Sequence, residues 1–361
     1  MIDVFGTLGP SCRDEQVLSS MFAEGMTGIR INLSHVMLKD CLEDLDKVKR
    51  AAANNKIVPK ILIDMQGPEL RIGKLDAPIS LNDDDELILE PTVPGKKDSH
   101  PCISDAHPGK TDAHPGKANT QQGDNTIILD KRILETLEVN DEILLDDGKI
   151  AATIIEAGSS FAKARITRGG ILNGRKSIAI TGKSVDLPAL TDSDIENLRL
   201  ACKSGIFGVM QPFVRSADDL KMLRSVLDDN GGKDIKIYAK IENTKGVDNL
   251  ETFFEVADEM IIARGDLGNA VPLWTLPGVQ KDIAARCSKA HKPFMVVTQM
   301  LSSMEHSRVP TRAEVSDIYN AVLDGAASVM VTGETAVGEY PEDVIRYMRK
   351  TVEAAEAGSK Q

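Results

Sequence analysis

The chain has 361 residues, of which 42% are hydrophobic and 27% charged, and a formal net charge of −12 at pH 7. That length is enough for about two domains, and the apolar fraction for a large core. The acidic balance argues against nucleic acid as the main partner, since a phosphate backbone selects for basic faces, and the sequence contains no run of 18 apolar residues that would make a transmembrane helix.

The opening "MIDVFGTLGPSCRDE" lacks the basic-then-apolar pattern of a secretory signal. Short apolar, β-branched runs then recur along the chain: "DVFGTLG" (3–9), "GIRINLS" (28–34), "KILIDM" (60–65), "FGVMQPF" (207–213), "KIYAKIE" (236–242), "EMIIARG" (259–265), "PFMVVTQ" (293–299) and "SVMVTGE" (328–334). Between most of them lie helical patterns such as "DEQVLSSMFAEG", "DSDIENLRLACKSG" and "RAEVSDIYNAVLDG", which close on glycine, a common helix stop. Alternating strands and helices with apolar strands imply a parallel sheet covered by helices. Eight such units are the number that closes a (β/α)8 TIM barrel, so the fold class is α/β.

One interval breaks the rhythm. After the third strand, residues 68–183 carry the alternating segments "DELILEPTV", "NTIILDKRI", "DEILLDDGKIAATIIEAG" and "FAKARITRGGIL". They predict an inserted all-β domain. Its removal leaves a barrel of residues 1–67 and 184–361, close to the ~250 residues usual for that fold. Within the insertion, the tandem repeat "DAHPGKTDAHPGK" (105–117) reads as a Pro/Gly-rich loop rather than a histidine metal site. The five cysteines (Cys12, Cys41, Cys102, Cys202, Cys287) are scattered, with no C-x-x-C pair, which predicts a reducing, cytoplasmic setting without structural zinc.

Barrel enzymes carry their chemistry at the C-terminal ends of the strands. Here those tips hold Arg30, Asn32 and Ser34; Asp64; Lys240 and Glu242; Arg264, Gly265 and Asp266; Thr298; and Thr332 and Glu334. Glu242 and Asp266 end the fifth and sixth strands, and neighbouring strands lie about 4.8 Å apart. Two carboxylates that leave open positions suit Mg²⁺ or Mn²⁺, although either acid alone would more often be a solvated loop residue. Lys240 beside them can neutralise charge developing on a transferred group; the plainer alternative is an ion pair with Glu242. Arg30 suits a phosphate or carboxylate. Asn32, Ser34 and Asp64 form an oxygen-rich set suited to a monovalent cation, or to ordinary hydrogen bonding.

In order along the chain, "TLGPSC", "GMTGIRINLSH", "DMQGPELRIG", "LLDDGKI", "VDLPALTDSD", "AKIEN", "ARGDLG", "KPFMVVTQML", "PTRAEVSDIYNAVLDG" and "VTGETAVGEYP" resemble the pyruvate kinase family over almost the whole chain. The resemblance implies a barrel with the inserted β domain as a lid. It also implies phosphoryl transfer from phosphoenolpyruvate to ADP, giving pyruvate and ATP. On it, Lys240 would stabilise the transferring group, and Glu242 and Asp266 would hold Mg²⁺. Arg30 would meet the phosphate; Gly265, Asp266 and Thr298 would lie against the substrate carboxylate. Asn32, Ser34, Asp64 and the Met65 carbonyl would bind K⁺, with Glu69 matching the K⁺-dependent form. Asn32, His35, Arg71 and Lys176 would address the nucleotide, and Thr332 and Glu334 a proton path.

The sequence also departs from the family pattern. Pro212 stands where a serine is usual, Asn269-Ala270 where Ile-Glu is usual, Thr332 for a serine, and Val36 for a glycine. "RKSIAI", with Ala179, replaces a "KKGVN"-like run. The chain stops at "VIRYMRKTVEAAEAGSKQ", the barrel's eighth helix, so the expectation is that the C-terminal effector domain and its sugar-phosphate activation are absent. A homodimer through barrel helices is left open. Two other functions compete: a metal-dependent 2-oxo-acid lyase or aldolase on the same barrel, and a non-catalytic binder of phosphoenolpyruvate or nucleotide.

Overall fold

The computed structural model describes residues 2–34, 36–92, 125–183 and 185–358. The chain divides into two compact units, one of residues 1–69 with 182–361 and one of residues 70–181.

The first unit is a closed, all-parallel barrel. Its strands are β1 (Asp3–Thr7), β2 (Gly28–Asn32), β3 (Lys60–Asp64), β4 (Gly208–Gln211), β5 (Lys236–Ile241), β6 (Glu259–Ala263), β7 (Phe294–Val297) and β8 (Ser328–Met330). They neighbour one another in chain order, and β1 pairs with β8 to close the ring. The period of two sorts each strand's side chains between two cores. Phe5, Leu62, Met210, Tyr238, Ile261, Met295 and Met330 fill the barrel interior. Their neighbours Val4, Ile61, Val209, Ile237, Ile262, Val296 and Val329 face the helices.

Caps set the helix starts. Thr191 and Asp194 form a capping box before helix Asp192–Ala201, and Thr311 and Glu314 form another before Arg312–Leu323. After helix Glu15–Ala23 the chain turns at Gly25, whose φ of +103° few other residues adopt and whose missing side chain makes room for Arg349.

The second unit contains a six-stranded sheet in the order Ile178–Ile180, Glu142–Leu145, Ile150–Ala157, Ala162–Arg168, Glu86–Pro91, Thr126–Leu129. A separate two-stranded ribbon pairs Ile79–Leu81 with Gly170–Leu172. The sequence reading of this unit as purely β needs one refinement. "NTIILDKRI" is not a single strand, because Asp130 accepts a hydrogen bond from the Arg132 backbone and caps a short helix, Lys131–Thr136. Ile133 and Leu134 of that helix are buried. The 105–117 repeat, Cys102 and His35 lie outside the described residues. The four cysteines within them are all free thiols. No helix among the described residues is long and apolar enough to cross a membrane.

Candidate active site

Counting by twos along β5, the interior residue Tyr238 is followed by Lys240 and, just past the strand, by Glu242. The Lys240 ammonium lies 2.9 Å from Glu242 Oε1 and 3.3 Å from each carboxylate oxygen of Asp64. Asp64, the last residue of β3, also accepts from Arg30 of β2, with Nε at 2.8 Å and Nη2 at 2.7 Å. Arg30 in turn approaches the Thr7 hydroxyl at 3.5 Å. Charges therefore alternate in one line: Arg30 positive, Asp64 negative, Lys240 positive, Glu242 negative. None of the four side chains is more than 14% exposed. At that burial each charge needs a partner of opposite sign to persist.

Burial alone would raise the pKa of Asp64, but the charges of Lys240 and Arg30 outweigh it and hold the carboxyl below the usual range. For Lys240 burial pulls the pKa down, and Asp64 and Glu242 more than reverse that, so the ammonium is locked on. Glu242 goes the other way. Burial raises its pKa, the pull of Lys240 does not undo the rise, and the negative charges of Asp266 and Asp64 add to it. The physical reason is the count of neighbours: Lys240 faces carboxylates on two sides, whereas Glu242 shares one ammonium and faces two like charges.

The second oxygen of Glu242 accepts the Phe213 backbone N–H at 2.8 Å. Phe213 sits at φ +52°, a left-handed conformation unusual for a bulky residue. Beside it, Pro212 lies over Gly67, itself at φ +60°, where an added Cβ would come within 2.3 Å of the Pro212 ring. Asp194, fully buried, accepts the backbone N–H groups of Gln66 and Gly67 at 3.0 and 3.1 Å and so fixes the loop after β3.

Beyond β6 the chain turns directly into the short helix Arg264–Ala270, with Asp266 in its first turn and Ala270 at its end. The charge of Asp266 is felt by both Lys240 and Glu242. A Cβ on Gly265 would press within 3.2 Å of Thr298 Cγ2, so glycine lets this backbone lie against that threonine. Thr298 follows β7 at φ +78° and Gln299 at φ +54°. Arg264 donates to the Thr298 carbonyl from Nε at 3.1 Å and Nη2 at 2.6 Å. Glu334 is buried and accepts from Leu301 N (3.1 Å), Thr332 N (2.7 Å) and the Thr332 hydroxyl (3.3 Å). Its carboxylate therefore ties the loop after β7 to the turn after β8.

Asn32 stands opposite Asp64 in the β2–β3 register. Its Oδ1 accepts from Ser34 N at 3.2 Å and Ser34 Oγ at 2.9 Å. Met65 continues from Asp64 and donates its N–H to the Met210 carbonyl at 3.2 Å. Asp64 spends its carboxylate on Arg30 and Lys240, so its first role here is counter-ion to two cations. Val36 is absent from the positive-φ positions, so the valine there carries no backbone strain of that kind. Within the second unit, Arg71 donates to the Arg175 carbonyl at 2.7 Å and bridges Ser177. Lys176 pairs with Asp146 at 2.7 Å, and Ala179 is an ordinary strand residue opposite Leu144. Among the described residues no cluster of three or more His, Cys, Asp or Glu side chains is arranged to hold a metal.

The family profile described as "Pyruvate kinase, barrel domain" matches residues 1–345. The chain belongs to the pyruvate kinase family. The pyruvate kinase of Schizosaccharomyces pombe is 36% identical over 97% of this chain and 65% of its own length. That of Staphylococcus aureus (strain MRSA252) is 32% identical over 97% of this chain and 56% of its own length. The chain thus spans between 56% and 65% of the length of these curated pyruvate kinases.

Three residues that shape this pyruvate kinase barrel mouth escape a reading of strand tips alone. Asp194 looks in sequence like a capping residue only, and Thr7 like one of many strand threonines. Asp317, in "PTRAEVSD", sits on a helix and pairs with Arg264. A carboxylate three residues past the capping-box Glu314 and next to the buried Ile318 is the one local hint of a specific partner.

Proposed function

We propose that the barrel transfers the phosphoryl group of phosphoenolpyruvate to ADP, giving pyruvate and ATP. The buried line Arg30–Asp64–Lys240–Glu242, at the mouth of a pyruvate kinase barrel, carries the reading. Phosphoryl transfer calls for charge neutralisation and in-line placement more than for covalent help. Arg30 and Lys240 supply two cations whose distance from each other is fixed by the carboxylate between them. Lys240, held protonated, faces the phosphoryl group as its bond to the enol oxygen breaks and a bond to the ADP β-phosphate oxygen forms. Gly265, Asp266 and Thr298 orient the substrate carboxylate. The enolate left behind takes a proton at its methylene carbon, with Thr298 and the Thr332–Glu334 turn as the groups that organise that step.

The donor set fits a divalent cation. Burial, and after it the like charges of Asp266 and Asp64, favour a proton on Glu242, and a metal ion in the proton's place would offset both. Glu242 and Asp266 would hold Mg²⁺ or Mn²⁺, which supplies positive charge to the substrate oxygens when bound. Asn32, Ser34, Asp64 and the Met65 carbonyl would hold K⁺. Asn32 of the barrel would meet the nucleotide. A cytoplasmic setting suits both the substrates and the free thiols.

A coupled assay for ATP formation from phosphoenolpyruvate and ADP, with and without Mg²⁺ and K⁺, tests the reading. Lys240→Ala should abolish transfer while phosphoenolpyruvate binding in the presence of Mg²⁺ stays measurable. Equal turnover in that variant would remove Lys240 from the mechanism.

A further inference from the structure

Thr298 is β-branched, yet it sits at φ +78°. Such a conformation persists only where the surroundings over-determine it. The surroundings here are specific. Arg264 places Nε and Nη2 at 3.1 and 2.6 Å from the Thr298 carbonyl. Its remaining arm, Nη1, lies 2.8 and 2.6 Å from the two carboxylate oxygens of Asp317, on helix Arg312–Leu323. The guanidinium is only 12% exposed, and Asp317 31%. Next in sequence to Arg264, Gly265 lies against the Thr298 side chain itself. A pair that served barrel stability alone would have no need to aim two donors at the carbonyl of one strained residue.

We propose that Arg264, braced by Asp317, is a positioning residue that holds the left-handed backbone of Thr298 and so aims its hydroxyl into the site. The inference rests on the phosphotransfer reading for its effect on turnover, though not for its effect on the loop. Guanidinium suits the role because its planar fork holds Nε and Nη2 on the carbonyl and Nη1 on the carboxylate at fixed separation, which the single nitrogen of an ammonium does not reproduce.

The test compares Arg264→Gln, Arg264→Lys, Asp317→Asn and Asp317→Glu with Thr311→Ala, which removes a cap from the same helix without touching Thr298. Readouts are kcat and KM for each substrate, deuterium uptake at the pyruvate methyl group, Tm, and amide exchange across residues 298–301. Both Arg264 variants should lose about 100-fold in kcat, the scale of an ångström-sized misplacement. Methyl exchange should fall in parallel, the KM for ADP should stay within about twofold, and the 298–301 amides should exchange faster. Asp317→Glu should retain more activity than Asp317→Asn, and Thr311→Ala should lower Tm while keeping kcat. Unchanged amide exchange in 298–301, or kcat losses that merely track Tm as in Thr311→Ala, would overturn the proposal. A wild-type chain that forms no ATP would instead sink the phosphotransfer reading and leave the amide-exchange result to decide the clamp; should Arg264→Gln fail to fold, Arg264→Lys carries the same comparison.

Discussion

Asp64 and Lys240 lie on strands separated by β4, yet the Lys240 ammonium is 3.3 Å from both oxygens of Asp64. In a flat sheet strands two apart are about 9.6 Å from each other. Closure of the barrel turns both side chains inward, and their length covers the rest. Met210 of β4 belongs to the interior core, so apolar packing adjoins this pair.

Removal of one member should therefore cost far more than a surface ion pair. Asp64→Ala leaves Arg30 and Lys240 buried with their shared counter-ion gone, and should reduce unfolding free energy by roughly 3–5 kcal/mol. Adding Lys240→Met should recover part of that loss. Urea unfolding of the two single variants and the double variant gives the coupling; additive losses would mean the pair does not act as a unit.

The raised pKa of Glu242 gives metal binding a pH sign. Below that pKa the carboxyl holds a proton, which must leave before a cation can bind. Mg²⁺ or Mn²⁺ affinity should rise as pH climbs through neutrality, and binding should release protons. Calorimetry in two buffers of different ionisation enthalpy reads that release directly, and Glu242→Gln should abolish it. An affinity flat across this range would contradict the assignment of Glu242.

At the opposite end of the barrel, Glu259 opens β6 and accepts the Ser328 hydroxyl. Burial pushes its pKa up to about 7 from an ordinary 4.5, with Asp3 adding to the rise. The folded state thus keeps a proton that the unfolded chain gives up near 4.5. Stability from this group is fully present below that value and is lost as pH rises through about 7. Glu259→Gln should match the wild type below about pH 4.5 and exceed it by up to about 3 kcal/mol at mildly alkaline pH. Denaturant melts at the two pH values decide it.

Gly67 and Pro212 give a steric prediction. Gly67→Ala puts a methyl group into the Pro212 ring at a residue with φ +60°. It should cost about 1–3 kcal/mol. Pro212→Ser in the same chain should restore the part due to the clash and leave the part due to backbone conformation. A Tm series of the three variants separates the two contributions.

Much of the site was legible because its code is local. Lys240 and Glu242 share a face by the period of two, and Gly265-Asp266 follows the sixth apolar run. What escaped was whatever depends on partners distant in the chain. That Glu242 takes the Phe213 amide, that Glu334 joins two loops, and that Arg264 links Thr298 to Asp317 cannot be read from any window of residues. The short helix Lys131–Thr136 was missed for a related reason. Its buried Ile133 and Leu134 fit a strand as well as a helix, and only the Asp130 cap decides between them.

By itself, then, the sequence determined eight alternating strands and which residues reach the strand tips, because side-chain alternation and helix capping act over two to four residues. The tertiary structure alone decided which tips touch. Asp64 and Lys240 are 176 residues apart in sequence, and their contact exists only because the ring closes in one register.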